Sequence, residues 1–161
     1  MKVLAENRRA RYDYQILEKF EAGLILNGQE VKSIRLGRAS LKGAFVVFKK
    51  DEPYLINANI PLYQAKNAPS DYDPERARKL LLKKKEIKHL LGKSKEKGLT
   101  LVPLRLYTTR GKIKIEVAIS KGKRKVDKRE KIKKRDVEKE IRRALKRRLS
   151  DVETFKEVNR E

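Results

Sequence analysis

The segment "KIKIEVAIS", Lys112 to Ser120, limits the possible folds more than any other stretch of the chain. Ile113, Ile115, Val117 and Ile119 share one parity, and Lys112, Lys114, Glu116 and Ala118 share the other. A period of two belongs to a β-strand, here with one packed face and one wet, cationic face. Just before it, "LTLVPLRLYTT" has a spacing of roughly two, and "TTRGK" with Gly111 supplies a tight turn. Strands joined by so short a turn pair antiparallel, and an antiparallel sheet can leave one face to solvent. The chain is therefore expected to build on an antiparallel sheet with a basic working surface.

The remaining segments fit around that hairpin. Residues 1–11 are short, polar and basic, and are expected to be mobile. "YDYQILEKFEAGLIL" mixes apolar and polar positions as a strand does, with Tyr12, Tyr14, Ile16 and Glu18 in one parity. "NGQEVKSIRLG" is bracketed by Gly28 and Gly37, and Val31 and Ile34 stand three apart, which predicts one or two helical turns. "LKGAFVVFKKDEPYLINANI" reads as a hairpin turning at Lys50 to Pro53. Asp73-Pro74-Glu75 reads as a helix start, with Leu80, Leu81, Ile87, Leu90 and Leu91 as its apolar stripe up to Gly92. About five strands and one main helix suggest a small closed or nearly closed barrel, an architecture that commonly binds oligonucleotides.

Charge narrows the partner. The 161 residues hold 44 Lys and Arg against 22 Asp and Glu, a net charge of +22. Residues 121–148 alone hold 16 basic and 5 acidic side chains, so half of the excess lies in this tail and half in the rest of the chain. A highly charged surface selected for solubility would carry both signs; a two-to-one excess of one sign points to a polyanion, whose condensed counterions are released on binding. Cysteine is absent, which excludes disulfides, thiolate zinc sites and cysteine nucleophiles. Apolar runs such as "AGLIL" are far short of a membrane span, and no signal peptide is apparent, so a cytoplasmic protein is expected.

Catalysis finds little support. Asp71, Asp73 and Glu75 alternate, but capping and solvation explain them as well as a metal does. His89, the one histidine, has no partner in the pattern and reads as a helix-surface residue. A non-enzyme without cofactor or metal is expected. Binding signals are more numerous. Arg105, Lys112 and Lys114, with Tyr107 between them, suit an RNA-facing sheet, although Tyr107 also fits a core position. In "GQEVKSIR", Lys32 and Arg35 fall on one side of a helical turn, and Glu30 suits either an arginine fork or a base amino group. In the tail, Val137, Ile141, Leu145 and Leu149 recur every four residues, with acids early and bases late, as the helix dipole favours. So thin a seam among so many like charges predicts a tail disordered when free and helical on a phosphate-rich surface. Ser150 to Glu153 resembles a capping box and predicts a short separate helical turn.

Four blocks, "AENRRARYDYQILEKFEAGLILNGQEVKSIRLG", "DPERARKLLLKKKEI", "KGLTLVPLRLY" and "SKGKRKVDKRE", resemble in order and spacing the small protein B family, the SsrA-binding proteins. The resemblance runs from Leu4 to Arg148. It implies a mainly β fold with flanking helices (α+β): a small antiparallel oligonucleotide-binding-type barrel over 1–120 and a basic C-terminal tail over 121–161. It implies an RNA-binding adaptor that binds the tRNA-like domain of transfer-messenger RNA and delivers it to stalled ribosomes. There the tail enters the small-subunit decoding region and message channel. Alanyl-tRNA synthetase and elongation factor Tu are implied only through the RNA, in a 1:1 complex with a monomer and no membrane. The RNA-binding positions it implies are Asn7, Arg11, Glu21, Glu30, Lys32, Arg35, Leu81 and Lys83. The ribosome-engaging tail positions are Lys123, Asp127, Lys128, Arg129, Arg135, Ile141, Arg142 and Arg143. Lys83 stands where the family usually has His or Asn, which favours a phosphate over a base edge, and "NIPLYQ" departs from the usual order around Tyr63. Residues 149–161 extend past the typical end. The alternative reading is a structural ribosomal protein that binds rRNA permanently.

Overall fold

The computed structural model describes the backbone of residues 1–158 and the side chains of residues 1–148 apart from residue 67. The chain divides into two compact units, Met1–Gly122 and Lys123–Glu161.

The first unit is a closed barrel. In chain order its elements are β1 (Lys2–Glu6), α1 (Arg8–Asp13), β2 (Tyr14–Leu24), α2 (Gly28–Arg35), β3 (Phe45–Lys49), β4 (Glu52–Ile56), β5 (Arg78–Leu81), α3 (Lys84–Ser94), β6 (Leu99–Thr109) and β7 (Lys112–Gly122). The strands run β6-β3-β4-β5-β2-β7, and a β6–β7 pairing closes the ring; β1 adds to β6. Every pairing is antiparallel. Closure leaves the ring without an open edge. Both short hairpins use two-residue loops with positive φ, Lys50-Asp51 (50° and 59°) and Arg110-Gly111 (49° and 74°). That backbone matches the twist of the strands it joins.

The strict alternation of β7 is realised. Ile115, Val117 and Ile119 face the core with Ala22, Leu55, Leu80 and Leu106, and Ile34 of α2 and Leu90 of α3 pack into the same cluster. Ala118, on the opposite parity, is also buried: with Ala10, Val102 and Leu104 it forms a second cluster under α1. The outward face of the hairpin is thus covered at one end and wet at the other. A bulge explains how β6 serves both clusters. The register shifts between Pro103 and Arg105, so Leu101 and Leu106, of opposite parity, both face the main core. Proline is tolerated within a central strand at such a bulge. A second bulge between Ile16 and Glu18 does the same for β2: Tyr14 and Ile16 pack under α1, and Phe20 and Ala22 on the main core.

Three expectations are corrected. Residues 1–11 are ordered: β1 pairs with β6, and Asn7 caps α1 by accepting from Ala10 N at 3.2 Å. The helix expected at Asp73 begins at Lys84 instead. Asp73 makes only a local turn, its Oδ1 accepting from Glu75 N at 2.9 Å, and residues 78–81 are a strand because Arg78 and Leu80 must both point inward. The helical tail, α4 (Lys125–Val158), is continuous, so no new helix begins at Ser150. The side chains of Leu149 and of Ser150 to Glu153 lie outside the described residues.

Candidate nucleic-acid interface

α2 is built as its sequence directs. Asn27 Oδ1 accepts from Glu30 N at 2.9 Å, and Glu30 Oε2 accepts from Asn27 N at 3.0 Å, a reciprocal capping box. Gly37, at φ 73°, ends the helix with its N–H on Ile34 O at 2.9 Å. The helix buries Glu30, Ser33 and Ile34 and leaves Lys32 and Arg35 exposed on one side. Lys32 Nζ stands 5.4 Å from the ring centroid of Tyr63, a cation–π distance. Arg38 donates to Tyr63 O at 3.3 Å, which pins the 61–64 loop against α2.

Glu30 is taken up inside the fold. Its side chain is wholly buried, and it accepts from Arg76 Nη2 at 2.8 Å and from Arg78 Nε at 2.9 Å. Arg78, also fully buried, donates as well to Ala58 O at 2.7 Å and Pro74 O at 2.9 Å. Burial pushes the Glu30 carboxyl up, but the bonds from Arg76, the Asn27 N–H and Arg78 outweigh it and hold the carboxyl below its ordinary value. Asn7 is likewise occupied within the fold. Its Nδ2 donates to Pro103 O at 3.1 Å, and its backbone N–H donates to Leu104 O at 2.7 Å, which satisfies the bulge of β6. Both side chains are thus committed to partners within the fold.

Leu81 and Arg35, by contrast, meet at one cleft of about 480 Å³ between α2, the β2/β5 pair and the β6–β7 turn. Leu24, Leu26 and Ile113 add apolar wall, and Lys112 and Lys114 add cations. Arg35 Nη2 donates to Gly111 O at 3.4 Å and so spans from α2 to the turn. Gly23 packs closely at the floor: a Cβ there would lie 3.3 Å from Leu81 Cβ and would crowd it. Leu81 itself is 52% exposed, so a large apolar side chain is held at the mouth of a cationic groove. Such a groove suits an unstacked base with its phosphate on the rim.

Glu21 lies beside the cleft through Lys114, whose Nζ is 3.7 Å from Glu21 Oε1. Its other oxygen, Oε2, accepts a hydrogen bond from the Tyr107 hydroxyl. Tyr107 is buried, so it is a core residue and not a stacking platform. Arg105 is held by Glu116 Oε2 at 3.0 and 2.8 Å and stands over the Tyr107 ring, 5.6 Å from its centroid. Arg11 is exposed in the last turn of α1, on the side of the barrel that carries the second core cluster. Lys83 precedes α3, where Glu86 Oε2 accepts from Lys83 N at 3.0 Å and leaves the ammonium exposed. His89 Nε2 lies 2.9 Å from Glu18 Oε2 on the outside of α3, in keeping with a surface role. Among the described residues no cluster of acids and histidines fits a metal ion, and no helix is long and apolar enough to cross a membrane.

The sequence did not disclose the Glu30–Arg78 and Glu21–Tyr107 pairs, which join residues 48 and 86 positions apart. For the first, the sequence suited Glu30 to an arginine fork without marking its partner, and the repeated arginines of "DPERARK" were a further signal; nothing local marks the second.

The second unit is a helix about 50 Å long at 1.5 Å per residue. Asp127 Oδ2 accepts from Arg124 N at 3.3 Å and caps its start. Lys128, Arg129, Arg135, Arg142 and Arg143 stand along it, wholly or partly exposed. Val137, Ile141 and Leu145 form an apolar seam in which each is more than half exposed. Partial burial and the neighbouring Lys131 push the Lys123 ammonium down. An anion placed there would relieve that repulsion.

Comparison with known proteins agrees with this geometry. Residues 4–147 match the family model described as "SmpB protein". The chain is 51% identical over 148 residues to the SsrA-binding protein of Thermosipho africanus, covering 91% of this chain and 99% of that one. It is 52% identical over 145 residues to the SsrA-binding protein of a Sulfurihydrogenibium species, covering 90% and 95%. A solved structure described as "tmRNA-SmpB: a journey to the center of the bacterial ribosome" superposes with a TM-score of 0.63 at 48% identity, covering 79% of this chain and 92% of that one. A barrel with this cleft, a basic tail and half-identity across nine-tenths of the length lead to one assignment: the chain belongs to the SmpB family of SsrA-binding proteins.

Proposed function

We propose that this chain is an RNA-binding adaptor that binds the tRNA-like domain of transfer-messenger RNA and carries it to stalled ribosomes for trans-translation. The observation that carries this reading is the cleft where Leu81, Arg35, Lys112 and Lys114 converge, in a chain of the SmpB family. Its apolar mouth suits an unstacked base, and its cations suit the flanking phosphates. Glu21 serves as the acceptor for a base amino group beside it, and Lys32 and Lys83 serve as phosphate contacts.

The division of labour follows the two units. Met1–Gly122 holds the RNA, and the tail engages the ribosome through Lys123, Asp127-Lys128-Arg129, Arg135, Ile141, Arg142 and Arg143. The similar solved structure, whose description joins tmRNA-SmpB to the bacterial ribosome, supports the second role. The chain acts by binding and positioning, without chemistry or cofactor of its own, in the cytoplasm.

Sequencing the RNA that copurifies with the full chain tests this reading. One dominant RNA with a tRNA-like end is expected. Stoichiometric rRNA that survives high-salt washing would replace this reading with that of a permanent ribosomal component.

A further inference from the structure

The outer ends of β6, β7 and β2 carry an ordered row of polar side chains. Arg105 pairs in register with Glu116, and Tyr107 with Lys114; Glu116 is in turn opposite Glu21. Glu116 fixes the Arg105 guanidinium with two bonds to one oxygen, the guanidinium covers the Tyr107 ring, and the Tyr107 hydroxyl reaches Glu21 Oε2. Tyr107 is only 4% exposed, while the Glu21 side chain is 54% exposed. A buried donor is thus aimed at a solvent-facing carboxylate. Phenylalanine would fill the same core volume, so packing does not account for the hydroxyl. Burial and the adjacent Glu21 push the phenol up to about 12, so it remains a donor at any physiological pH.

We propose that Tyr107 is the positioning residue for Glu21: by holding Oε2 it fixes the carboxylate so that Oε1, beside Lys114 at the cleft, accepts from a base amino group of the bound RNA. An exposed glutamate otherwise samples many rotamers, and ordering it on binding opposes affinity. Tyr107 orders it beforehand. Arg105 and Glu116 act one step further back, by holding the ring. This inference rests on Glu21 being an RNA contact, as proposed above, and the test separates the two.

The test is a double-mutant cycle on the full chain, with a transcript of the tRNA-like domain of transfer-messenger RNA as the probe. Glu21→Gln alone is expected to weaken binding at least tenfold. Tyr107→Phe is expected to weaken it about tenfold in the native background, the size of one hydrogen bond to a charged group, and less than twofold in the Glu21→Gln background. A purely structural hydroxyl would move the melting temperature and not produce this coupling in affinity. Arg105→Lys, which loosens the ring from its other side, should repeat the pattern and serves if Tyr107→Phe fails to fold. Loss from Glu21→Gln without loss from Tyr107→Phe, or equal losses from Tyr107→Phe in both backgrounds, overturns the positioning role alone. Native affinity in Glu21→Gln overturns the contact reading and the inference together.

Discussion

Glu30 and Arg78, both withdrawn completely from solvent, meet at 2.9 Å and join the first turn of α2 to the start of β5. With Arg76 donating to both oxygens, one carboxylate answers two guanidinium groups. The basic side of α2 and the strand that ends in Leu81 are held in register by this joint. Removing one member of a buried pair leaves the other charge without compensation, which costs far more than the net worth of the pair.

Arg78→Met is therefore expected to destabilise the barrel by about 3–5 kcal/mol, measured by chemical denaturation. Arg76→Met, at the partly exposed edge of the same joint, should cost distinctly less.

The same joint sets the acid limit. The folded Glu30 carboxyl lies below its ordinary value of 4.5, so the unfolded chain binds that proton more readily. The stabilisation is present above about pH 4.5 and is lost as the pH falls through the lower folded value. Denaturation midpoints taken through that range should fall, and Glu30→Gln should flatten this limb while lowering stability at neutral pH.

Leu81 is built into an exposed mouth, so Leu81→Asp should leave the melting transition nearly unchanged, within about 0.5 kcal/mol. RNA affinity should drop by tenfold or more in a filter-binding or fluorescence assay. Gly23→Ala should act in the same direction through the crowding of Leu81.

Phosphate contacts are read by salt. If roughly 6 phosphates are engaged, log affinity should fall against log salt with a slope of about −4 to −5. Lys32→Ala and Arg35→Ala should each reduce that slope by about 1. Glu21→Gln should weaken binding without altering it.

The tail separates affinity from rescue. A chain ending at Gly122 should keep RNA binding and lose tagging of nascent chains, scored in a translation assay on a message lacking a stop codon. A peptide of residues 123–161 should be largely unfolded by circular dichroism in dilute buffer and gain helix on adding RNA, as charge repulsion along α4 is relieved.

Much of the barrel could be read from periodicity, because β7 packs its odd-numbered residues on the main core and the turns at Lys50 and Gly111 carry their own chemistry. What escaped reading had a tertiary cause. "ARKLLL" has helical spacing, but Arg78 is claimed by Glu30 and Leu80 by the core, and the strand wins. The terminal segment looks mobile because its order comes from β6 and from the bulge that Asn7 satisfies. At the interface, Leu81 and Arg35 were legible through resemblance. The inward roles of Glu30 and Asn7 depend on partners that chain proximity does not reveal.

The bulge at Pro103 makes β6 two half-strands spliced out of phase. Its first half turns Val102 toward α1, and its second half turns Leu106 inward and presents Arg105 and Tyr107 to the ladder behind Glu21. Excising a single residue at that splice would leave the hydrogen-bonded ribbon intact yet evert everything downstream of it, driving a guanidinium into the oil and Leu106 into water. The phase of the whole outward row is thus set by one surplus residue.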